Sequence, residues 1–149
     1  MDVLTPEQRH KNMSHIRSKD TKPEVWLRKE LFAQGYRYRK NSGNIPGHPD
    51  IWMRKYNTAI FVHGCFWHRH KDCKYASVPK SRVEFWTEKF QKNVERDDRV
   101  MQELAVSGIK RLIVWECTVK QMMKSEDTAE RIIKEIEDFL VSDVLHKEV

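Results

Sequence analysis

The chain has 149 residues, 39% of them apolar and 34% charged, and 28 Lys and Arg against 22 Asp and Glu give a formal charge of +6. That length suits a single domain with its own core, and five tryptophans argue against a disordered chain. No stretch nears the roughly 20 apolar residues of a membrane span, and Met1 to His10 lacks the apolar run of a secretory leader.

The charge is unevenly placed. Residues 1–40 hold 10 basic and 5 acidic side chains, residues 41–115 hold 13 and 8, and residues 116–149 reverse to 5 and 9. A basic body with an acidic tail points to a polyanion partner, with the tail turned away from it.

In chain order, Thr5-Pro6-Glu7-Gln8 reads as a capped helix start, and the polar, basic helix behind it runs to about Arg17. With only Met13 and Ile16 apolar, it reads as an arm or surface helix. Thr21-Lys22-Pro23-Glu24 is a second capping box, and Val25, Trp26, Leu27, Leu31 and Phe32 form a buried stripe that Gly35 ends. That box fully explains Glu24.

Tyr36 to Arg39 alternates as a strand does. Asn41 to Pro49 is a loop, Ile51-Trp52-Met53 a short strand, Lys55-Tyr56-Asn57 a turn, and Ala59 to Val62 a buried strand. Ser81 to Glu84 is a third capping box. Val83, Trp86, Phe90, Val94, Met101 and Leu104 mark the core face of the helix behind it, which Gly108 stops. Arg111 to Trp115 reads as a strand, and Ile132, Ile133, Ile136, Phe139 and Leu140 as a final helix. The expected architecture is a single α/β domain, a central mixed sheet flanked by helices.

Four groups carry chemistry. Residues 63–73 concentrate His and Cys. Cys65 and Cys73, with His70 or His68, and Cys117 delivered by a strand end, would make a four-ligand zinc site using every cysteine; the alternative is a polar loop with Cys117 as a small core residue. Asp50, at a strand entry, is either a turn residue or a carboxylate placed to hold Mg²⁺ against a phosphate. Asp97 falls on the apolar stripe of its helix with Asn93 one turn before it. A carboxylate there needs a partner, and a histidine of the dense window fits, an arrangement suited to proton transfer; the alternative is a structural salt bridge to Arg96 or Arg99, which lie on other faces of the helix. Phe66 and Trp67 lie off any periodic face, and either wedge between bases or fill core beneath a metal.

The segments Phe61-Val62-His63-Gly64-Cys65-Phe66-Trp67-His68, Pro46-Gly47-His48-Pro49-Asp50, Glu84-Phe85-Trp86, Lys92 to Asp97 and Val114-Trp115-Glu116-Cys117 resemble the very-short-patch-repair (Vsr) DNA mismatch endonucleases. Lys11-Asn12-Met13 and Asp20-Thr21 fit the start of that family, and the likeness spans about residues 9–140.

The resemblance implies a restriction-endonuclease-like fold and a Mg²⁺-dependent nick 5′ of a T mispaired with G, the product of 5-methylcytosine deamination. It implies that Asp50 and the Val62 carbonyl bind Mg²⁺, that His63 and His68 act at the scissile phosphate, and that Asp97 pairs with His68. It makes Glu24 an active-site residue, against the capping reading. It assigns Cys65, His70, Cys73 and Cys117 to structural zinc. Phe66, Trp67 and Trp86 become wedges beside the mismatch, Asn93 a DNA contact, and Met13 an apolar residue of the arm.

The expected organisation is one endonuclease domain over residues 1–149, with an N-terminal arm over 1–20 and a catalytic core over 21–141; the tail beyond carries no assignment. A monomer in the bacterial cytoplasm, associated with double-stranded DNA and not with membrane, is implied, and contacts with other mismatch-repair proteins stay open. The restriction-type acid-x-Lys pair is absent near Phe61 to Gly64, and His63 stands there instead. The alternative function is a non-catalytic zinc-stabilised DNA-binding module. A zinc deaminase would need H-x-E paired with P-C-x-x-C, and four protein ligands leave zinc no open position.

Overall fold

The computed structural model describes residues 20–149. The helix expected from Thr5 and the arm residue Met13 lie outside them.

Helix α1 (Lys22–Ala33) is followed by strands β1 (Arg39–Lys40) and β2 (Ile51–Met53), a 3-10 turn (Arg54–Tyr56) and strand β3 (Thr58–His63). Helix α2 (Val83–Val106), strand β4 (Lys110–Trp115), helices α3 (Glu116–Lys124) and α4 (Glu126–Val141) and strand β5 (His146–Glu148) complete the order. One sheet runs β1-β2-β3-β4-β5. The first two pairings are antiparallel and the last two parallel, so the sheet is mixed, as expected.

β3 is buried along its whole length, and alternation sends its side chains to two different layers. Ile60 and Val62 join Leu112 and Val114 of β4 in a core closed by α1, α3 and α4. Ala59 and Phe61 face the other way, onto Leu104, Val100 and Met101 of α2. His63 has the parity of Phe61, so it emerges on the α2 side at the end of the strand, in register with Trp115.

Several sequence expectations are corrected. The capping box at Ser81 does not form: α2 begins at Val83, its N-cap is Arg82 in the left-handed region (φ 51°), and no side chain caps it. The expected core face of α2 is only partly a core face. Phe90 and Leu104 are buried, but Val83 and Val94 are exposed and Trp86 is half-buried. The C-terminal half of α2 packs on the sheet, while Trp86 and Phe90 of its N-terminal half pack on Phe66 and Trp67 of the loop after β3.

Thr21 makes no side-chain cap for α1; Glu24 instead accepts from the Asp20 amide at 2.8 Å. The strand expected from Tyr36 begins only at Arg39, where pairing with Trp52 starts; the Tyr36 and Tyr38 hydroxyls donate to Glu137 and the Arg28 carbonyl. Helix α3 and strand β5 had no clear local signal. The Lys55–Asn57 turn is confirmed in tighter form, with Asn57 in the left-handed region.

Candidate active site and metal centre

A cleft of about 900 Å³ opens at the C-terminal end of β3. Glu24, Asp50, Val62, His63, Trp67, His68, Asn93 and Asp97 all line it, although they come from α1, the β2 entry, β3, its following loop and α2.

Asp50 reaches the cleft through a constrained loop. Gly47 has φ +81°, and a Cβ there would collide with Val100 and press on Phe61 at 3.1 Å, so only glycine lets the loop lie on α2. The Asp50 carboxylate accepts the Val62 amide at 2.6 Å. In an extended strand the N–H and C=O of one residue point to the same edge, so the Val62 carbonyl is directed toward Asp50 as well. Burial, and then the nearby Glu24 carboxylate, push the Asp50 carboxyl up to about 7. Two crowded acids with an adjacent carbonyl make an oxygen-rich site for a hard cation.

The histidines form a second cluster. The His63 and His68 rings stack at 3.9 Å with 7° between their planes. His68 Nδ1 and Asp97 Oδ2 are 2.7 Å apart, so the expected partner of Asp97 is found; the carboxylate is half-buried rather than fully buried. Burial, reinforced by His68, pulls the His63 imidazole down to about 3, which keeps it neutral near pH 7. A carboxylate fixing one ring nitrogen leaves the other for proton transfer.

Next to it, Cys65, His70, Cys73 and Cys117 bring their ligand atoms within 4.8 Å of one another. Cys117 enters from the first turn of α3, where its amide donates to Cys65 Sγ at 3.4 Å. Burial pushes the Cys65 thiol up to about 12. A cation at the centre reverses that, because metal coordination favours the thiolate. The donor set and its spread fit a closed tetrahedral site.

Phe66, Trp67, Trp86 and Phe90 form one aromatic cluster with centroid distances of 5.1 to 5.9 Å. Phe66, Trp67 and Trp86 are half-buried, so they are neither sealed core nor free surface. Arg69, at φ +53°, donates to the carbonyls of Phe66, Ala76 and Ser77 and lies 4.0 Å over the Phe90 ring. Asn93 donates to the Trp67 carbonyl at 3.2 Å, holding the same loop.

Four residues were given no role in the site by sequence reasoning. Trp115 stacks on His70 at 4.1 Å and meets His63 edge-on at 5.4 Å, so one indole joins the two clusters. Its place at the last position of the β4 strand, next to Cys117, was a usable signal. Arg28 lies behind Glu24, visible only as an i, i+4 pair. Lys89 and Arg96 line the cleft with Asn93, at spacings of four and three.

The chain matches the family model for the DNA mismatch endonuclease Vsr over residues 1–75. It is 46% identical over 137 residues to the type II nicking enzyme V.NmeAIP of Neisseria meningitidis serogroup A, spanning 92% of this chain and 97% of that protein. The chain belongs to the Vsr family. It is an endonuclease. It is also 44% identical over 128 residues to the DNA mismatch endonuclease Vsr of Escherichia coli, covering 86% of this chain and 81% of that one. Against the type II nicking enzyme V.XorIIP of Xanthomonas oryzae it is 40% identical over 121 residues, or 81% and 88% of the two chains. Among the described residues, no helix is long and apolar enough to cross a membrane.

Proposed function

We propose that this protein is a Mg²⁺-dependent, strand-specific endonuclease that nicks double-stranded DNA 5′ of the T in a T:G mismatch and so initiates very short patch repair of deaminated 5-methylcytosine. The observation that carries the reading is the convergence of Asp50 and Val62 with the His63–His68–Asp97 cluster in one cleft. A β-meander followed by a helix and a parallel strand supports a restriction-endonuclease-like core over residues 21–141, preceded by a DNA-binding arm at 1–20 that includes Met13.

Asp50 and the Val62 carbonyl would hold Mg²⁺, with Glu24 beside them. The bound ion would supply charge stabilisation at the phosphate and the leaving 3′ oxygen. His68, its tautomer fixed by Asp97, takes a proton from the attacking water. His63, neutral and buried, offers a ring N–H to a phosphate oxygen. Cys65, His70, Cys73 and Cys117 would hold zinc as a structural ion, which fixes the loop carrying His68 relative to α3. Phe66, Trp67 and Trp86 unstack the duplex beside the mismatch, where stacking is weakest, with Asn93 steadying the wedge. Lys89 and Arg96 supply positive charge for the backbone.

The test is a nicking assay on one duplex carrying T:G and on its T:A twin. Nicking of the T:G duplex only, dependent on added Mg²⁺ and abolished in Asp50→Ala, is the expected result. Equal cutting of both duplexes, or full activity in Asp50→Ala, refutes the reading. Tight DNA binding with no cleavage at any Mg²⁺ concentration would favour the non-catalytic zinc module.

A further inference from the structure

Arg28 sits one helical turn after Glu24 on the buried face of α1. Glu24 is 4% exposed and Arg28 6%, so two charges share a water-poor layer. Arg28 does not line the cleft, whereas Glu24, Asp50 and Asn41 do. Its Nη2 donates to Asp20 Oδ1 at 2.6 Å, and its Nη1 lies 3.8 Å from Glu24 Oε2 with no hydrogen-bond partner among the described residues.

Asp20 closes the arrangement. Its amide donates to Glu24 Oε2, and its carboxylate accepts from Asn41 Nδ2 at 3.2 Å. Glu24 in turn faces Asp50. Two carboxylates, Asp20 and Glu24, thus lie against one guanidinium, and Glu24 carries that layer to Asp50 in the lining of the cleft.

We propose that Arg28 is a positioning residue, a built-in counter-ion that holds Glu24 and Asp50 as a facing carboxylate pair before the divalent cation binds. This rests on the reading of Asp50 as a Mg²⁺ site. Two buried carboxylates with no cation between them repel each other and pull toward water. The guanidinium offsets that repulsion from behind, leaving the cleft side of the pair open. Asp20 sets how much of the positive charge reaches the pair. Because Arg28 and the metal answer the same negative charge, they oppose each other thermodynamically: the less Arg28 supplies, the more the fold gains from the ion.

The experiment is thermal unfolding of the full chain with and without Mg²⁺, no chelator being used so that the Cys–His site is undisturbed. Arg28→Met should unfold at a lower Tm than the wild type without Mg²⁺, and its Mg²⁺-induced rise in Tm should exceed the wild-type rise by about 3 °C or more. Arg28→Lys, which keeps the charge, should restore a wild-type Mg²⁺ response. Asp20→Asn frees Arg28 to lean fully on Glu24, so its Mg²⁺ response should be smaller than the wild type's. That variant decides the matter if Arg28→Met does not fold.

A wild-type Mg²⁺ response abolished by Asp50→Ala, together with equal responses in wild type, Arg28→Met and Asp20→Asn, overturns the role of Arg28 alone. A wild type that shows no Mg²⁺ response overturns the metal site and this inference with it.

Discussion

The cleft sets two ionisable side chains against their ordinary chemistry. Asp50 is raised from 3.8 to about 7, by burial and then by Glu24, and His63 is lowered from 6.5 to about 3, by burial and then by His68. Between those values Asp50 keeps a proton in the fold that it loses in the unfolded chain. Its contribution is therefore full at low pH and is lost as pH rises through about 7. His63 has the opposite sign: it stays neutral in the fold while the unfolded chain takes up a proton, so stability is lost as pH falls below 6.5. In the wild type without added Mg²⁺ the two slopes oppose each other. Asp50→Asn removes one of them, so its urea midpoint should fall more steeply from pH 7 to pH 5 than the wild-type midpoint. Parallel pH profiles for the two proteins would contradict the raised Asp50 carboxyl.

At the scale of elements, the C-terminal segment is integral to the sheet. β5 pairs with β4 from Arg111 to Ile113, and the Val149 carbonyl accepts the Trp115 amide at 3.0 Å. The Trp115 indole donates to Glu148 at 2.9 Å, so the strand also fixes the ring that separates His63 from His70. Lys110 adds a second tie: its ammonium donates to the carbonyls of Phe139, Leu140 and Ser142 at the end of α4. It thus supplies positive charge and donors where the helix presents unpaired carbonyls. Lys110→Met removes the ammonium donor from the Leu140 and Ser142 carbonyls, while Phe139 keeps the Ser142 amide and hydroxyl, and should cost about 1–3 kcal/mol, read as a lower denaturant midpoint at unchanged slope. An unchanged midpoint would show that the ammonium is not needed to end α4. β5 was not legible in the sequence because His146, Lys147 and Glu148 have no apolar alternation; the segment is a strand because the edge of β4 is free to pair. α3 was missed because the Cys117 position reads equally well as the end of a strand.

For the whole molecule, the charge asymmetry has a spatial meaning. The acidic helix α4 closes the core on the sheet face opposite α2 and contributes nothing to the cleft, where Lys89 and Arg96 project. The Cys–His centre holds three elements together: the loop after β3, the first turn of α3 and, through Trp115, the end of β4. Cys117→Ser should reduce bound zinc and lower the unfolding temperature together, since metal-binding energy is folding energy in such a centre. It should also depress nicking, because the loop that carries the cysteines carries His68. Retention of full stability with loss of the metal would make the centre dispensable to the fold.

By itself the sequence determined the sheet-and-helix order from β2 to β4, the burial of β3, the three cysteines with His68 or His70 as candidate ligands, and the need of Asp97 for a partner. These are local properties: alternation, helical spacing, ligand density and the desolvation cost of a charge on an apolar stripe. The family resemblance added Glu24, which local pattern explained equally well as a cap. Only the tertiary structure decided what depends on separation along the chain. It set the stacking of His63 on His68, the 29-residue reach from His68 to Asp97, the buried layer shared by Arg28 and Glu24 behind Asp50, and the partial exposure of the aromatic face of α2. Periodicity states which residues share a face; whether that face meets core, cleft or solvent is fixed by what the rest of the chain packs against it.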